Sequence, residues 1–462
     1  MRRRLGCRVR VMSHSIGVPE PRRALPVVAV LGAMALAVLD AAITNVALPS
    51  MARSLQVEPG MSVWIVTAYQ AALVMALLPC AALGESIGQR RVFAGGVALF
   101  TAASVLCALS PSLAWLVAAR FLQGLGAAGV MALGISLLRA VVAPGQLGAA
   151  IGWNALVVAL SSAAGPAIGS AILFSAGWPR LFALNLPLGA LVLLGTRALP
   201  EVPGTARPLD ALSVGLYASC LAALVVGAQC IASTPAPASA LLVTAAIGLT
   251  ALVRREMAKA APLIPLDLLR THSIRTSVVA SVCCFAGITI GLVSLPFYLQ
   301  HTLGLDTLTT GLYMTAWPLA VAAAAPLAGR LAERVPTAHL CAIGAGLLAA
   351  GLAAASLWDL GERPLALVPL TMLCGVGFGL FQVPNNRNMF LAAPLERSGA
   401  AGGMQGTARL AGQTAGSVMM GLLFTVASID AAPRLGLRIA AVLALAAGVA
   451  SALRTRTVAR PC

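Results

Sequence analysis

Charge is scarce in this chain. Only 10% of its 462 residues are Asp, Glu, Lys or Arg, whereas a soluble domain carries about 25%. Hydrophobic residues make up 59%. Because so few charges cannot cover a water-facing surface, the composition overrides the roughly three soluble domains that the length alone would suggest. The chain is therefore predicted to be an integral membrane protein.

The residue patterns of several chemical sites are also missing. The only lysine, Lys259, has alanine on both sides, so the chain lacks a P-loop, which ends in Gly-Lys-Ser/Thr. Neither HExxH nor GxSxG occurs, and the 10 cysteines form no CxxC pair. The histidines lie in tails, in loops or at a span edge, at 14, 272, 301 and 339. We predict no enzyme activity, no cofactor and no metal site, and transport that an ion gradient would drive.

Apolar stretches of about 20 residues, long enough to cross about 30 Å of hydrocarbon, recur along the chain. They lie at 24–48, 62–82, 92–110, 113–137, 147–173, 181–199, 209–231, 237–253, 275–299, 308–328, 338–357, 363–384, 403–428 and 434–453. None shows the alternating pattern of a membrane β-strand. The prediction is an all-α membrane protein with fourteen spans.

Positive charge is unevenly distributed over the loops, although the net charge is +17. If the N-terminus is cytoplasmic, the loops and span edges on the opposite side hold only Arg53, Arg180, Arg363, Arg434 and Arg438. This asymmetry follows the positive-inside rule. It predicts a bacterial inner-membrane protein with both termini in the cytoplasm. The basic residues form no cluster on a folded face, so we predict no nucleic-acid partner.

Two short segments indicate an internal repeat. LGESIGQRRVF (83–93) and LAERVP (331–336) align with one offset at Leu83/Leu331 and Glu85/Glu333. Parallel six-helix repeats with a substrate site between them are a known transporter plan, although chance similarity of two basic loops is the alternative. The resulting division is a basic tail (1–23), a six-helix bundle (24–199), a linker with two extra spans (200–253), a cytoplasmic loop (254–274), a second bundle (275–453) and a tail (454–462).

Several motifs carry a family resemblance. LDAAITNVALP contains Asp40, Asn45 and Pro49; ARFLQGLGAAG (119–129) contains Arg120 and Gln123. SSAAGPAIGS (161–170) matches G-P-x-x-G at Gly165, Pro166 and Gly169. In this order the motifs resemble the fourteen-span drug:proton antiporters of the major facilitator superfamily, over nearly the whole chain. The resemblance implies two six-helix bundles with two extra central helices and proton-coupled multidrug efflux.

The resemblance also implies roles for particular residues. The 83–91 segment is similar to the superfamily's gating loop, although Ala81, Glu85, Ser86 and Gln89 depart from its pattern. The implied gating residues are Glu85, Gly88, Arg90 and Arg91 in the first copy, and Gly329, Glu333 and Arg334 in the second. Arg90 and Arg91 would either determine topology only or hold neighbouring helix ends. The G-P-x-x-G motif would pack helices closely and set the side toward which the bundle opens.

Asp40 is the only carboxylate placed deep inside a predicted span. An ionisable group there is costly and usually faces a cavity, and Arg120, in the same bundle, stays charged and needs a partner. The pair is either a static link between helices or a carboxylate that exchanges a proton while Arg120 tunes it. Arg409 lies nearer the inner end of its span, from which its side chain could snorkel.

The substrate is not readable from the sequence. Candidate cavity residues are Asn45, Tyr69, Gln123, Trp153, Tyr298, Trp317, Phe381, Gln382 and Asn385, for each of which ordinary packing is the alternative. The first hypothesis is a monomeric exporter of lipophilic, often cationic, small molecules in exchange for protons. The second is a carrier for one metabolite, and the third is a membrane sensor or scaffold without transport.

Overall fold

The computed structural model describes residues 21–143, 146–201, 210–257, 259, 266–357, 364–393 and 398–454. Most of the predicted tails (1–20 and 455–462) and parts of the predicted linker and loop (202–209, 258 and 260–265) lie outside these ranges. The long helices are α1 Pro21–Ser54, α2 Pro59–Ile87, α3 Gln89–Ala108, α4 Leu113–Val141, α5 Leu147–Ala176, α6 Pro179–Thr196, α7 Ala211–Cys230, α8 Pro235–Met257, α9 His272–Thr302, α10 Thr307–Arg334, α11 Thr337–Leu357, α12 Pro364–Leu391, α13 Ser398–Val426 and α14 Ala431–Ala452.

All fourteen predicted spans correspond to these helices. Thirteen are long and apolar enough to cross a membrane, and α13 falls short only because it is more polar. No β-strand occurs in the described residues, so the all-α prediction is confirmed. A short 3₁₀ helix, Leu266–Arg270, precedes α9. Of the predicted cytoplasmic loop, the structure places residues up to Met257 in α8 and those from His272 onward in α9.

Local side-chain chemistry fixes several helix starts. Ser112 accepts a hydrogen bond from the backbone N–H of Trp115 at the start of α4. Asp306 accepts from the N–H groups of Leu308 and Thr309 at the start of α10. These caps satisfy backbone donors that have no partner within the helix.

The predicted gating loops are shorter than expected. Helix α2 continues to Ile87, and Gly88 alone separates it from α3, with φ 107°. Only glycine adopts this backbone conformation without strain. In the second copy α10 continues to Arg334, so Gly329, Glu333 and Arg334 all lie within that helix. Most of the predicted gating residues therefore sit at helix ends, because helical hydrogen bonding continues beyond the membrane core.

The same helix crossings occur in both bundles. In the α3–α4 crossing, a Cβ on Gly126 would lie 2.5 Å from the backbone N of Phe100. In the α11–α12 crossing, a Cβ on Gly377 would lie 2.5 Å from the backbone N of Leu348. Gly124 of α4 packs against the carbonyl of Tyr69 on α2, and Gly375 of α12 packs in the same way against the carbonyl of Trp317 on α10. Tyr69 and Trp317 are 248 residues apart, which is also the separation of Leu83 from Leu331. These crossings support the predicted repeat.

The two bundles meet along a seam. We call the face where α1 begins and α14 ends the terminal face, and the other the opposite face. Toward the opposite face, Arg53 donates to Gln300 over 3.0 Å, and the Ser417 hydroxyl donates to Gln70. These are the side-chain hydrogen bonds that link the two bundles within the described ranges. Pro166 and Ser170 of α5 also approach Gly311 of α10 there.

The extra pair, α7 and α8, packs along the seam. The hydroxyl of Tyr217 on α7 donates to the carbonyl of Val74 on α2, and Gln229 lies against Gly421 on α13. Helix α7 therefore touches both bundles, whereas α8 packs mainly on α7. The pair is peripheral, as expected, but it spans the boundary between the bundles.

Candidate functional site

Asp40 and Arg120 form a buried ion pair inside the N-terminal bundle. Arg120 Nη1 lies 2.5 Å from Asp40 Oδ2, and the two residues are 3% and 1% exposed. The hydrogen-bond partners of Asp40 lie on α4 and α6, inside the bundle. Removing two charges from water costs several kcal/mol per ion, so each needs close partners.

Two amides complete the coordination of the Asp40 carboxylate. Oδ1 accepts from Gln123 Nε2 at 3.0 Å and from Asn185 Nδ2 at 2.6 Å. Gln123 Nε2 also donates to the Ser104 hydroxyl at 2.8 Å. Donors from α4 and α6 thus satisfy both carboxylate oxygens. In this arrangement Asp40 accepts only, which is the behaviour of the ionised form.

Arg120 has partners besides Asp40. Its Nε donates to the Ile65 carbonyl of α2 at 3.2 Å, and its Nη1 donates to Gln123 Oε1 at 2.5 Å. Its guanidinium carbon lies 4.2 Å from the centre of the Tyr69 ring, a cation–π arrangement. Arg120 would therefore keep several favourable contacts if Asp40 became neutral.

A cavity of about 110 Å³ lies in the seam. Two sequence-predicted cavity residues, Asn45 and Trp317, line it, as does Pro166 of the predicted antiporter motif. The remaining wall residues are Ala42, Ala159, Ser162, Ile288, Leu292, Met314, Pro318, Val321 and Phe378. Asn45 Oδ1 is buried and has no hydrogen-bond partner in the part of the chain that the structure describes. The cavity is therefore largely apolar, with one unsatisfied acceptor.

The G-P-x-x-G motif packs α5 against α1. A Cβ on Gly165 would collide with Ala42, and one on Gly169 would lie 3.3 Å from Ile43. Small residues allow membrane helices to approach in this way. Because Ala42 also lines the cavity, this packing sets the position of the cavity wall.

Among the predicted gating residues, Arg90 makes the clearest contacts. It donates to the carbonyl of Arg197, just after the end of α6, at 3.1 Å, and it lies 3.5 Å from Glu201. This contact is within one bundle, not across the seam. Arg91 and Glu85 are exposed. Glu333 and Arg334 are exposed at the end of α10, and no heavy atom lies within 4 Å of a Cβ built on Gly329.

The other predicted cavity residues lie away from the cavity. Tyr69 and Gln123 belong to the ion-pair cluster, and Tyr298 and Phe381 are fully buried inside the C-terminal bundle. Trp153 is 59% exposed, Gln382 is half-buried, and neither lines the cavity. Span position alone does not show which way a side chain points, and a role of these residues in substrate binding stays a prediction.

Asn385 holds helices together. It donates to the Ser281 hydroxyl of α9 at 2.8 Å and accepts from Arg454 at 3.3 Å. Arg454 also donates to the Ser277 hydroxyl at 2.7 Å. This cluster near the terminal face is the polar link between helices that the sequence offered as an alternative to substrate binding.

Sequence reasoning missed two groups of residues. Asn185 and Ser104 complete the Asp40 site, and the signal available for Asn185 was an amide within an apolar, family-like stretch.

The second group lies on the extra helices. Glu256, placed in a loop by sequence, is fully buried in the last turn of α8. There it lies 2.5 Å from Lys259, which also contacts Asp210. The signal in the sequence for this cluster was Lys259, the only lysine of the chain.

The geometry defines a two-bundle membrane transporter, and sequence comparison agrees. The profile of the Major Facilitator Superfamily matches residues 30–417 and again 277–461. The chain belongs to this superfamily, so it is a transporter and not an enzyme.

Individual relatives carry names that indicate different functions. "Uncharacterized transporter YebQ" of Escherichia coli is 41% identical, over 95% of this chain and 97% of the relative. "Riboflavin transporter RibZ" of Clostridioides difficile is 28% identical, over 80% and 81%. "Multidrug resistance protein Stp" of Mycobacterium tuberculosis is 33% identical, over 83% and 72%.

Structural comparison bears on the fold alone. A bacterial homologue of the human lysosomal transporter Spinster, solved in an inward-facing and unoccupied conformation, superposes with a TM-score of 0.70. It is 14% identical, and the match covers 96% of this chain and 98% of the other. The bundle arrangement described above is therefore that of a solved transporter.

Proposed function

We propose that the chain exports lipophilic organic compounds in exchange for protons, by alternating access. The observation that carries this proposal is the buried Asp40–Arg120 pair with its amide partners. Membrane-embedded ionisable residues commonly form proton relays. The relative named a multidrug resistance protein supports the export of foreign compounds.

Asp40 is the proposed proton carrier. Taking up a proton would end its role as the counter-ion of Arg120, which would keep the Ile65 carbonyl, Gln123 Oε1 and the Tyr69 ring. Since these contacts limit the cost of neutralising Asp40, the pair can serve as a switch and not only as a fixed link.

Helix α2 offers a physical connection from this switch to the seam. Arg120 contacts Ile65 and Tyr69, and the adjacent Gln70 bonds to Ser417 across the seam. If Arg120 moves when Asp40 is protonated, its contacts with Ile65 and Tyr69 change, and α2, which bonds to the other bundle, moves with it. We propose that protonation thereby changes which face the seam opens toward.

The test is gradient-driven transport in inside-out vesicles. The probes are three coumarins with a carboxylate, a neutral methyl ester or a trimethylammonium group. Wild type should move at least one probe with a proton gradient, and Asp40→Asn at equal abundance should lose the dependence on the gradient. Asp430→Asn, which changes an exposed carboxylate, is the matched control. Gradient-dependent transport by Asp40→Asn would refute the proposal.

The second candidate is a carrier for one metabolite. It is favoured by the relative named a riboflavin transporter and by the small size of the seam cavity, about 110 Å³. Drug susceptibility in a pump-deficient host separates the two. Resistance to several unrelated compounds supports the first candidate, and an effect on a single metabolite supports the second.

The proposed setting is the bacterial inner membrane, with a monomeric transporter and both termini in the cytoplasm. The terminal face would then be cytoplasmic and the closed part of the seam would face outward. Reporter tags after residue 462 and within 301–306 test this arrangement. A periplasmic signal from the C-terminal tag would reverse it.

A further inference from the structure

Helix α13 carries a polar row along the seam. Gln405, Arg409, Gln413 and Ser417 are spaced four residues apart, so they lie on one side of the helix. Ser417, at one end of the row, bonds to Gln70 of α2. This row faces the N-terminal bundle and not lipid, and it explains why α13 is more polar than the other spans.

Arg409 sits in the middle of the seam. Three residues before it, Gly406 approaches Leu77 of α2; three residues after it, Gly412 approaches Phe285 of α9. At 3.6 residues per turn these contacts fall about 60° to either side of Arg409. The arginine therefore points into the groove between α2 and α9.

Arg409 has no counter-ion in this structure's described ranges. No hydrogen bond or ion pair of its side chain occurs there, and its Nε is buried and unsatisfied. The residue as a whole is half-buried. Arginine does not lose its charge in proteins, and a charge that is partly removed from water without a partner is costly. The Asp40 carboxylate already accepts hydrogen bonds from Arg120, Gln123 and Asn185, so it is not available to pair with Arg409.

Snorkelling does not explain this arginine. A snorkelling side chain extends its charged end to the headgroup region, whereas the Nε of Arg409 is buried and the helix face around it packs against Leu77 and Phe285. The environment of Arg409 instead resembles one side of an ion pair in which a bound molecule provides the negatively charged group.

We propose that Arg409 binds the negatively charged group of the transported compound, so that the substrates are amphiphilic organic anions such as lipophilic carboxylates, sulfonates or phenolates. This inference rests on the proposed transport function and specifies its substrate. Arginine matches such groups geometrically, and the apolar side chains of Leu77 and Phe285, which pack beside Arg409, suit the lipophilic part. The seam cavity has no carboxylate among its lining residues that would attract a cation.

The test is equilibrium binding of the three coumarin probes to the full chain in phosphatidylcholine nanodiscs, without a proton gradient. Wild type should bind the carboxylate at least about tenfold more tightly than the ester or the ammonium probe, which corresponds to about 1.4 kcal/mol. Arg409→Gln should remove this preference, and Arg409→Lys should retain part of it. Arg438→Gln removes an exposed arginine of the same bundle and should change nothing.

Four outcomes overturn the inference: equal or tighter binding of the ammonium probe, binding of no probe, a carboxylate preference that survives in Arg409→Gln, or loss of that preference when phosphatidylglycerol is added. The last result would identify a lipid headgroup as the occupant. Folding of each variant is checked by its thermal transition. Because the assay needs no gradient, an Asp40→Asn chain that fails in vesicles but keeps the carboxylate preference separates this inference from proton coupling.

Discussion

The two six-helix bundles share one scaffold but differ in what occupies its centre. Applying the offset of the matched α4 and α12 glycines, Arg120 and Gln123 correspond to Thr371 and Cys374. On α3 and α11, Ser104 corresponds to Leu352. Helix α9, the counterpart of α1, carries no carboxylate. One bundle thus has a charged centre, and the other has an apolar one.

The polar groups of the C-terminal bundle lie elsewhere. Arg454, Asn385 and Ser277 bond to one another near the terminal face. Groups near a helix end are closer to water and can be satisfied at lower cost than groups in mid-membrane. The difference indicates that the repeat provides the geometry, while single substitutions at equivalent positions assign the chemistry to one bundle.

The largest expected effect separates the two centres. Arg120→Met leaves the Asp40 carboxylate buried without its counter-ion, which should cost about 3–5 kcal/mol of stability. At the equivalent position, Thr371→Val removes only a hydroxyl bonded to a carbonyl one turn earlier and should cost about 1 kcal/mol. Thermal unfolding in detergent measures both. Equal losses would contradict the comparison.

The shared scaffold predicts equal effects at the glycine crossings. Gly126→Ala and Gly377→Ala each place a Cβ against a backbone nitrogen of the facing helix, so each should cost about 1–3 kcal/mol. The same unfolding assay compares them, with Gly95→Ala, where the space is open, as the control. A large difference between the two crossings would weaken the repeat.

The polar cluster of the C-terminal bundle should affect folding more than transport. Asn385→Ala removes a partner of Arg454 and Ser281 and should cost about 1–3 kcal/mol. Transport per folded molecule, measured in vesicles with matched protein, should stay near the wild-type value. A loss of transport without loss of stability would move Asn385 into the substrate path.

The smallest effect concerns the extra helices. The hydrogen bond from Lys259 and that from the Ser213 backbone hold the pKa of Asp210 below its usual value of 3.8. Its stabilising contribution is therefore complete above about pH 4, declines below that value, and is lost only as the pH falls through the lowered folded-state pKa. Asp210→Asn should reduce the thermal transition slightly at pH 7 and by a smaller amount at pH 3. An equal change at both pH values would show that the charge does not matter.

The sequence was sufficient for the helices, the repeat and the ion pair. Span length and hydrophobicity set the fourteen helices because hydrocarbon admits only backbone that bonds within itself. Asp40 and Arg120 could be paired from sequence because they were the scarce deep charges of one bundle. Asn185 and Ser104 could not be added, since an amide or hydroxyl in a span gives no sign of its partner.

Composition and spacing thus determined a fourteen-helix membrane protein with one carboxylate deep inside a predicted span and an arginine to pair with it. Only the tertiary structure decided where each side chain points. It turned Asp40 into the bundle, placed Asn45 and Trp317 at the seam cavity, and left Arg409 facing the other bundle without a counter-ion among the described residues. The physical reason is that membrane burial constrains every span alike, whereas direction depends on which helices pack together, and that is fixed by close contacts between residues far apart in the chain.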